Sequence, residues 1–232
     1  MCNQIKVQFF KLRHFVLFYL ALLCMVGFGF SYGFVKIASV GGEVYDAFAA
    51  TVCDASFMFV SALVGAWFIG SDFSNRTIHH EIALGYSRCS VLLVRELPVL
   101  LSGVLLHLVY TLSAMLGTGL KVGFSFDSFS AQDIFWCLTV VLQLIALQSI
   151  IALISFICAK APAAITASVS IIIVMCNILR NFLGCTFYSR TVFYLAPDNE
   201  PKTLIISSAV AVITFALSLA AAHLIFIRKD IE

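Results

Sequence analysis

The sequence predicts an all-α integral membrane protein with six transmembrane helices. A basic amphipathic helix is expected before the first, a helix-bearing polar loop after the second, and a re-entrant hairpin before the last. Three observations lead there. Of 232 residues, 62% are apolar and 11% are charged, against roughly 45–50% and about 25% in soluble domains. A chain of this length could not hide so much apolar surface in water. The apolar runs are continuous rather than alternating, which argues against strands. The net charge of +2 is small and scattered, so no nucleic-acid partner is expected; the expected surroundings are membrane lipid.

A helix needs about 20 apolar residues to cross ~30 Å of hydrocarbon. Five uncharged stretches qualify: 15–35, 97–120, 134–159, 161–179 and 203–227. A sixth, 55–71, reaches full length as a span over 50–71 that tolerates Asp54 near its outer end. The whole chain, 1–232, reads as one transmembrane domain with no soluble insertion. The first span follows a basic segment, as a signal peptide would. Its apolar core is too long, however, and 31–42 lacks a clean A-x-A step, so it is expected to stay attached.

Six spans put both termini on one side. With the N-terminus inside, nine of the 14 basic residues are cytoplasmic: Lys6, Lys11, Arg13, Arg76, Arg88, Arg95, Lys160, Arg228 and Lys229. The positive-inside rule therefore favours both termini in the cytoplasm.

Three segments do not span. Residues 3–14 are basic, with Ile5, Phe9 and Leu12 at helical spacing; such a helix lies along the interface, with Lys6 and Arg13 at the headgroups. Residues 72–96 form the polar centre. Asp72 or Ser74 is a candidate helix cap and Gly85 a stop. The short helix between them exposes Arg76, His79, His80 and Glu81 and turns Ile78 and Ile82 to one face, like a docking knob. Residues 180–202 hold two apolar pieces too short to span, which suits a re-entrant hairpin.

The eight cysteines show no metal or framework spacing; a Cys53–Cys185 bridge on the outer side is left open. His80-Glu81 lacks the second histidine of HExxH, since Leu84 stands there, and no P-loop or nucleophile elbow is present. The chain is therefore expected to bind no nucleotide or metal of its own and to be no enzyme by itself. Polar residues within spans are costly and mark pathways or helix contacts. His107, Gln143, Gln148 and Asn177 are the candidates. Gln143 and Gln148 lie about 140° apart around a helix, so interhelical contact is the default for both. Gly29-x-x-x-Gly33 and Gly119-x-x-x-Gly123 are candidate close-packing pairs, and Pro98 and Pro162 mark span starts.

The 72–95 segment resembles the loop after the second span in permease subunits of ABC-2-type transporters. Phe73, Thr77, Ile78, Leu84, Gly85, Ser87, Arg88 and Arg95 match that family's pattern; Arg76 stands where glycine is usual, and Arg95 where lysine is more frequent. The N-terminal segment is similar to the family's elbow helix. The resemblance implies a coupling segment over 72–90, in which Phe73, Thr77, Ile78, Glu81, Ile82, Leu84, Gly85 and Arg88 engage a separate ATP-binding-cassette subunit. ATP and Mg would sit on that partner. It also implies a second permease chain, identical or different, and a bacterial cytoplasmic membrane. Few fixed charges in the spans suit export of an amphipathic or hydrophobic cargo such as a peptide antibiotic, a lipid or a drug-like compound. The alternative is a non-transporting assembly partner or sensor.

Overall fold

The computed structural model describes residues 2–54, 58–174 and 200–228. Among them the chain is helical, without strands. The helices are α1 (Cys2–Arg13), α2 (Val16–Ser31), α3 (Val44–Val52), α4 (Met58–Ser74), α5 (Thr77–Ala83), α6 (Arg88–Val122), α7 (Ala131–Cys158), α8 (Ala161–Ile173) and α9 (Pro201–Arg228). A π-helical turn, Tyr32–Ile37, and a 3-10 turn, Ala38–Val40, prolong α2.

Among the described residues, four helices are long and apolar enough to cross a membrane: Val16–Val40, Arg88–Val122, Ala131–Cys158 and Pro201–Arg228. They coincide with the first, third, fourth and sixth spans expected from the sequence. The second and fifth correspond to the shorter apolar helices α4 and α8. Asn177, Cys185 and the expected re-entrant hairpin up to residue 199 lie outside the described residues.

The bundle is organised around α4, α6 and α7. Helix α2 packs along α6, α9 along α7, and α8 against α4. One apolar core joins Phe18 and Met25 of α2 to Phe68 and Phe73 of α4, Leu92 and Leu106 of α6, Phe156 of α7 and Phe226 of α9. A second, toward the opposite end, gathers Phe48, Ala62, Trp136, Leu144, Leu147 and Ala164. Between them, the fully buried Gln148 of α7 donates to Ser61 Oγ of α4 at 2.8 Å. Its side chain lies in the space that Gly103 of α6 leaves by lacking a Cβ. Gln148 is therefore a contact among three helices.

The spans and their boundaries differ from expectation in four places. First, the span over 50–71 is divided: α3 ends at Val52 and α4 begins at Met58. Asp54 sits at this break and accepts from Tyr110 Oη at 2.9 Å; a carboxylate there is satisfied by α6 rather than carried inside a helix. Second, most of what reads as loop before residue 97 is helix, because α6 starts at Arg88 behind a Ser87 cap (Ser90 N to Ser87 Oγ, 3.3 Å). Its 35 residues span about 52 Å at 1.5 Å per residue, well over the ~30 Å of hydrocarbon. Third, Pro98 consequently lies inside α6 instead of opening it, whereas Pro162 does stand in the first turn of α8. Fourth, Gly119 and Gly123 do not pair two helices. Gly123 ends α6 and the Phe124 ring folds back over Gly119.

Candidate functional site

Helices α1, α4, α5 and α6 meet at one end of the bundle around a buried arginine. Arg95 comes from the first third of α6 and is fully buried. Its Nε donates to Asp72 Oδ2 at 2.9 Å, and its Nη1 donates to Glu81 Oε2 at 2.8 Å and to Val91 O at 3.3 Å. Lys11 of α1 reaches the other Asp72 oxygen at 2.5 Å and also donates to Phe68 O at 3.2 Å. Two cations thus face two anions, and each carboxylate is bound through charge-assisted contacts. Lys11 thus meets the Phe68 carbonyl and, at 3.4 Å, the Ser71 hydroxyl toward the C-terminus of α4, where a cation is favoured by the helix dipole. Arg95 Nη2 and Glu96 Oε2 are buried without hydrogen-bond partners among the described residues.

This arrangement holds α5. Asp72 does not cap it, as expected from the sequence; it belongs to the last turn of α4 and is spent on Lys11 and Arg95. Ser74 is not the cap either, since its hydroxyl donates to Gly70 O at 3.1 Å. The start is instead made by Arg76, in the left-handed region at φ 56°. The end is a Schellman turn: Tyr86 N donates to Glu81 O at 3.2 Å and Gly85 N to Ile82 O at 3.0 Å. Gly85 has φ 88°, a conformation that suits glycine. The stop expected at Gly85 is therefore present.

The sequence-predicted residues divide into two groups. Phe73 is buried against Phe156 and Phe226. Ile78 is fully buried, and Ile82 packs on the same core. Glu81 is not on display, as the loop reading had it, because Arg95 draws it inward. Arg88 donates to Phe226 O at 3.1 Å and Ile227 O at 2.6 Å, closing the end of α9. Thr77, the first residue of α5, is half-buried. On the outer side stand Arg76, His80, Leu84, Gly85 and Tyr86, with Leu84 77% exposed. The knob thus has an anchored inner face and a free outer one.

The sequence alone does not name Lys11 and Asp72 as members of the Arg95 cluster. The signal available was two opposite charges closing the apolar runs on either side of the polar segment, with a lysine in the amphipathic helix ahead of them. Helix α1 turns Gln4, Gln8 and Leu12 inward rather than Ile5, Phe9 and Leu12 alone; Gln4 Oε1 accepts from Ser90 Oγ at 3.0 Å.

The pathway candidates lie elsewhere. His107 Nε2 donates to Val52 O at 3.1 Å, meeting a carbonyl left open where α3 stops. Gln143 and Gln148 are both buried in α7. His107 and the two glutamines are apart from the Arg95 cluster. Among the described residues, no group of three or more His, Cys, Asp or Glu side chains could hold a metal.

The left-handed Arg76 makes a testable point. A non-glycine residue there carries a penalty of about 1–2 kcal/mol. Arg76→Gly is expected to keep or raise the melting temperature of the solubilised protein. Arg76→Val, β-branched, is expected to lower it. A lower melting temperature for Arg76→Gly would mean that the arginine side chain supports the turn.

No protein-family model matches this chain, and no curated protein matches it.

Proposed function

We propose that this chain is the permease subunit of an ATP-driven exporter of the ABC-2 type. In this reading it has six spans, with both termini in the cytoplasm of a bacterial cell. Helix α1 is the elbow and α5 the coupling helix. The ATPase is a separate chain that carries ATP and Mg, and a second permease chain completes the transporter. The cargo is amphipathic or hydrophobic.

One observation carries the reading: α5 is short, set off by two left-handed turns, open to solvent on its outer face and ion-paired to α6 on its inner face. A helix built this way suits the transfer of a push. A partner would press on Arg76, His80, Leu84 and Tyr86. The Glu81–Arg95–Asp72 contacts would pass the displacement to α6 and α4. A plain surface loop has no use for an anchor of buried charge.

The test is cross-linking from Leu84→Cys in native membranes, with the exposed Cys24 and Cys89 replaced by serine. The expected product is a stoichiometric adduct that photolabels with azido-ATP. A clean preparation without a nucleotide-binding adduct would overturn the proposal and favour an assembly partner or sensor.

A further inference from the structure

At the end of the bundle away from α5, helices α3, α6 and α7 enclose a cavity of about 290 Å³. Its walls are apolar, with Val52, Phe129, Val140 and Leu144 among them. Two polar side chains line it, His107 and Thr111, one turn apart on α6. His107 Nε2 is engaged by Val52 O. Thr111 is 7% exposed, yet its hydroxyl has no hydrogen-bond partner among the described residues. Helical threonines usually return their hydroxyl to the carbonyl four residues back. Thr118, Thr139 and Thr214 do so here; Thr111 does not. A buried hydroxyl left unpaired is costly, so a threonine kept at this point calls for something to bond.

The cavity has a side opening. Leu108 and Leu112 line it from α6 and are 48% and 50% exposed. In a chain whose α6 and α7 cross the bilayer, that opening faces lipid. The volume is near the lower end of small-molecule pockets, roughly 300–1,000 Å³, and is too small for a whole two-chain phospholipid.

We infer that this cavity binds a small apolar molecule carrying one oxygen acceptor, such as a medium-chain alcohol or ester, which enters from the membrane. The chain packs on Val140 and Leu144, and its oxygen accepts from the Thr111 hydroxyl. The site needs no ATPase and stands apart from the export reading.

The probe is a diazirine-bearing decanol, photolysed with the full-length protein in phosphatidylcholine nanodiscs and mapped by peptide mass spectrometry. Labelling of α6 and α7 around Thr111 is expected to saturate and to be displaced by unlabelled decanol. In Thr111→Val, which keeps the shape, half-saturation is expected at about tenfold higher probe, the loss of one buried hydrogen bond. A diazirine-bearing decane is expected to label both proteins alike. Without ligand, the melting temperature of Thr111→Val is expected to equal or exceed that of the parent. Labelling that rises linearly with probe and is the same in both proteins would overturn the site and leave a cleft filled by bulk lipid tails. A lower melting temperature for the unliganded variant would also overturn it, since the hydroxyl would then be bonded within the protein.

Discussion

Arg95→Met is expected to cost about 3–5 kcal/mol of stability, the usual effect of removing one partner from a buried charge cluster. The methionine can fill much of the space, so the loss is electrostatic. Asp72 is almost fully buried and would keep only Lys11, which is 31% exposed on its side chain. Glu81, 19% exposed on its side chain, would lose its one arginine contact. The partners should rank by burial. Asp72→Asn is expected to follow Arg95→Met, and Lys11→Met to fall within about 1 kcal/mol, as for an exposed pair. The double variant Arg95→Met with Asp72→Asn is expected to be less damaged than the sum of the two, because the stranded anion is gone. Apparent melting temperatures in one detergent provide the comparison. A loss for Arg95→Met no larger than that for Lys11→Met would show that the cluster does not hold this end of the bundle together. If α5 is a coupling helix, Glu81→Gln carries a second expectation. ATP hydrolysis by the assembled transporter continues while export drops, and insertion is unaffected. Export at the parent rate would count against coupling through Glu81.

That cluster marks the limit of what could be read from the residues alone. Continuous apolar runs reveal helices because the bilayer permits little else, and α2, α7, α9 and the part of α6 beyond residue 97 fall where composition puts them. Gly85 was legible as a stop because a glycine after an amphipathic stretch has a specific backbone use. The division at Asp54 was not. A single carboxylate near a span end fits a tolerated charge as well as a helix break, and only the positions of His107 and Tyr110 on α6 decide between them. The start of α6 at Arg88 was hidden for a related reason. Charged residues suggest a loop when solvent is assumed around them, yet here Asp72, Glu81 and Arg95 face one another. Pairing across 61 residues, Lys11 with Asp72, has no local periodicity to show it.

The same division applies to α5. Ile78 and Ile82 could be placed on one face from spacing. Glu81 could not be assigned inward without knowing that Arg95 lay beneath it. The outer face is therefore shifted toward the end of the helix: Glu81 leaves it, and Arg76, His80, Ala83, Leu84, Gly85 and Tyr86 are exposed. In the proposed coupling role, an ATPase subunit would press on these residues, and Phe73, Ile78, Glu81 and Arg88 would act behind them.

Gly33→Leu is expected to detach α2 from α6 and to lower stability by at least the ~1–3 kcal/mol typical of overpacking. A Cβ at Gly33 would collide with the carbonyl of Ala114, and one at Gly29 with Ser113 Oγ and the carbonyl of Tyr110. Backbone atoms of a long helix cannot turn aside as side-chain ends can. The approach also brings two hydrogen bonds across the seam, Thr118 Oγ1 to Gly33 O at 3.1 Å and Ser113 Oγ to Met25 O at 3.3 Å. Close contact of small residues is what holds helices together where the surrounding lipid is as apolar as they are. Gly27 is the internal control. It lies on the same helix, is exposed, and has nothing within 4 Å of a Cβ. Gly27→Leu is expected to be neutral or mildly stabilising, since leucine is the better helix former. Gly29→Leu combined with Gly33→Leu is expected to expose a cysteine placed at Ser113 to maleimide in the solubilised protein. Equal melting temperatures for the Gly27 and Gly33 variants would mean that α2 is held by its apolar face alone. A large gap would place the attachment of the first helix in the seam where the two backbones meet.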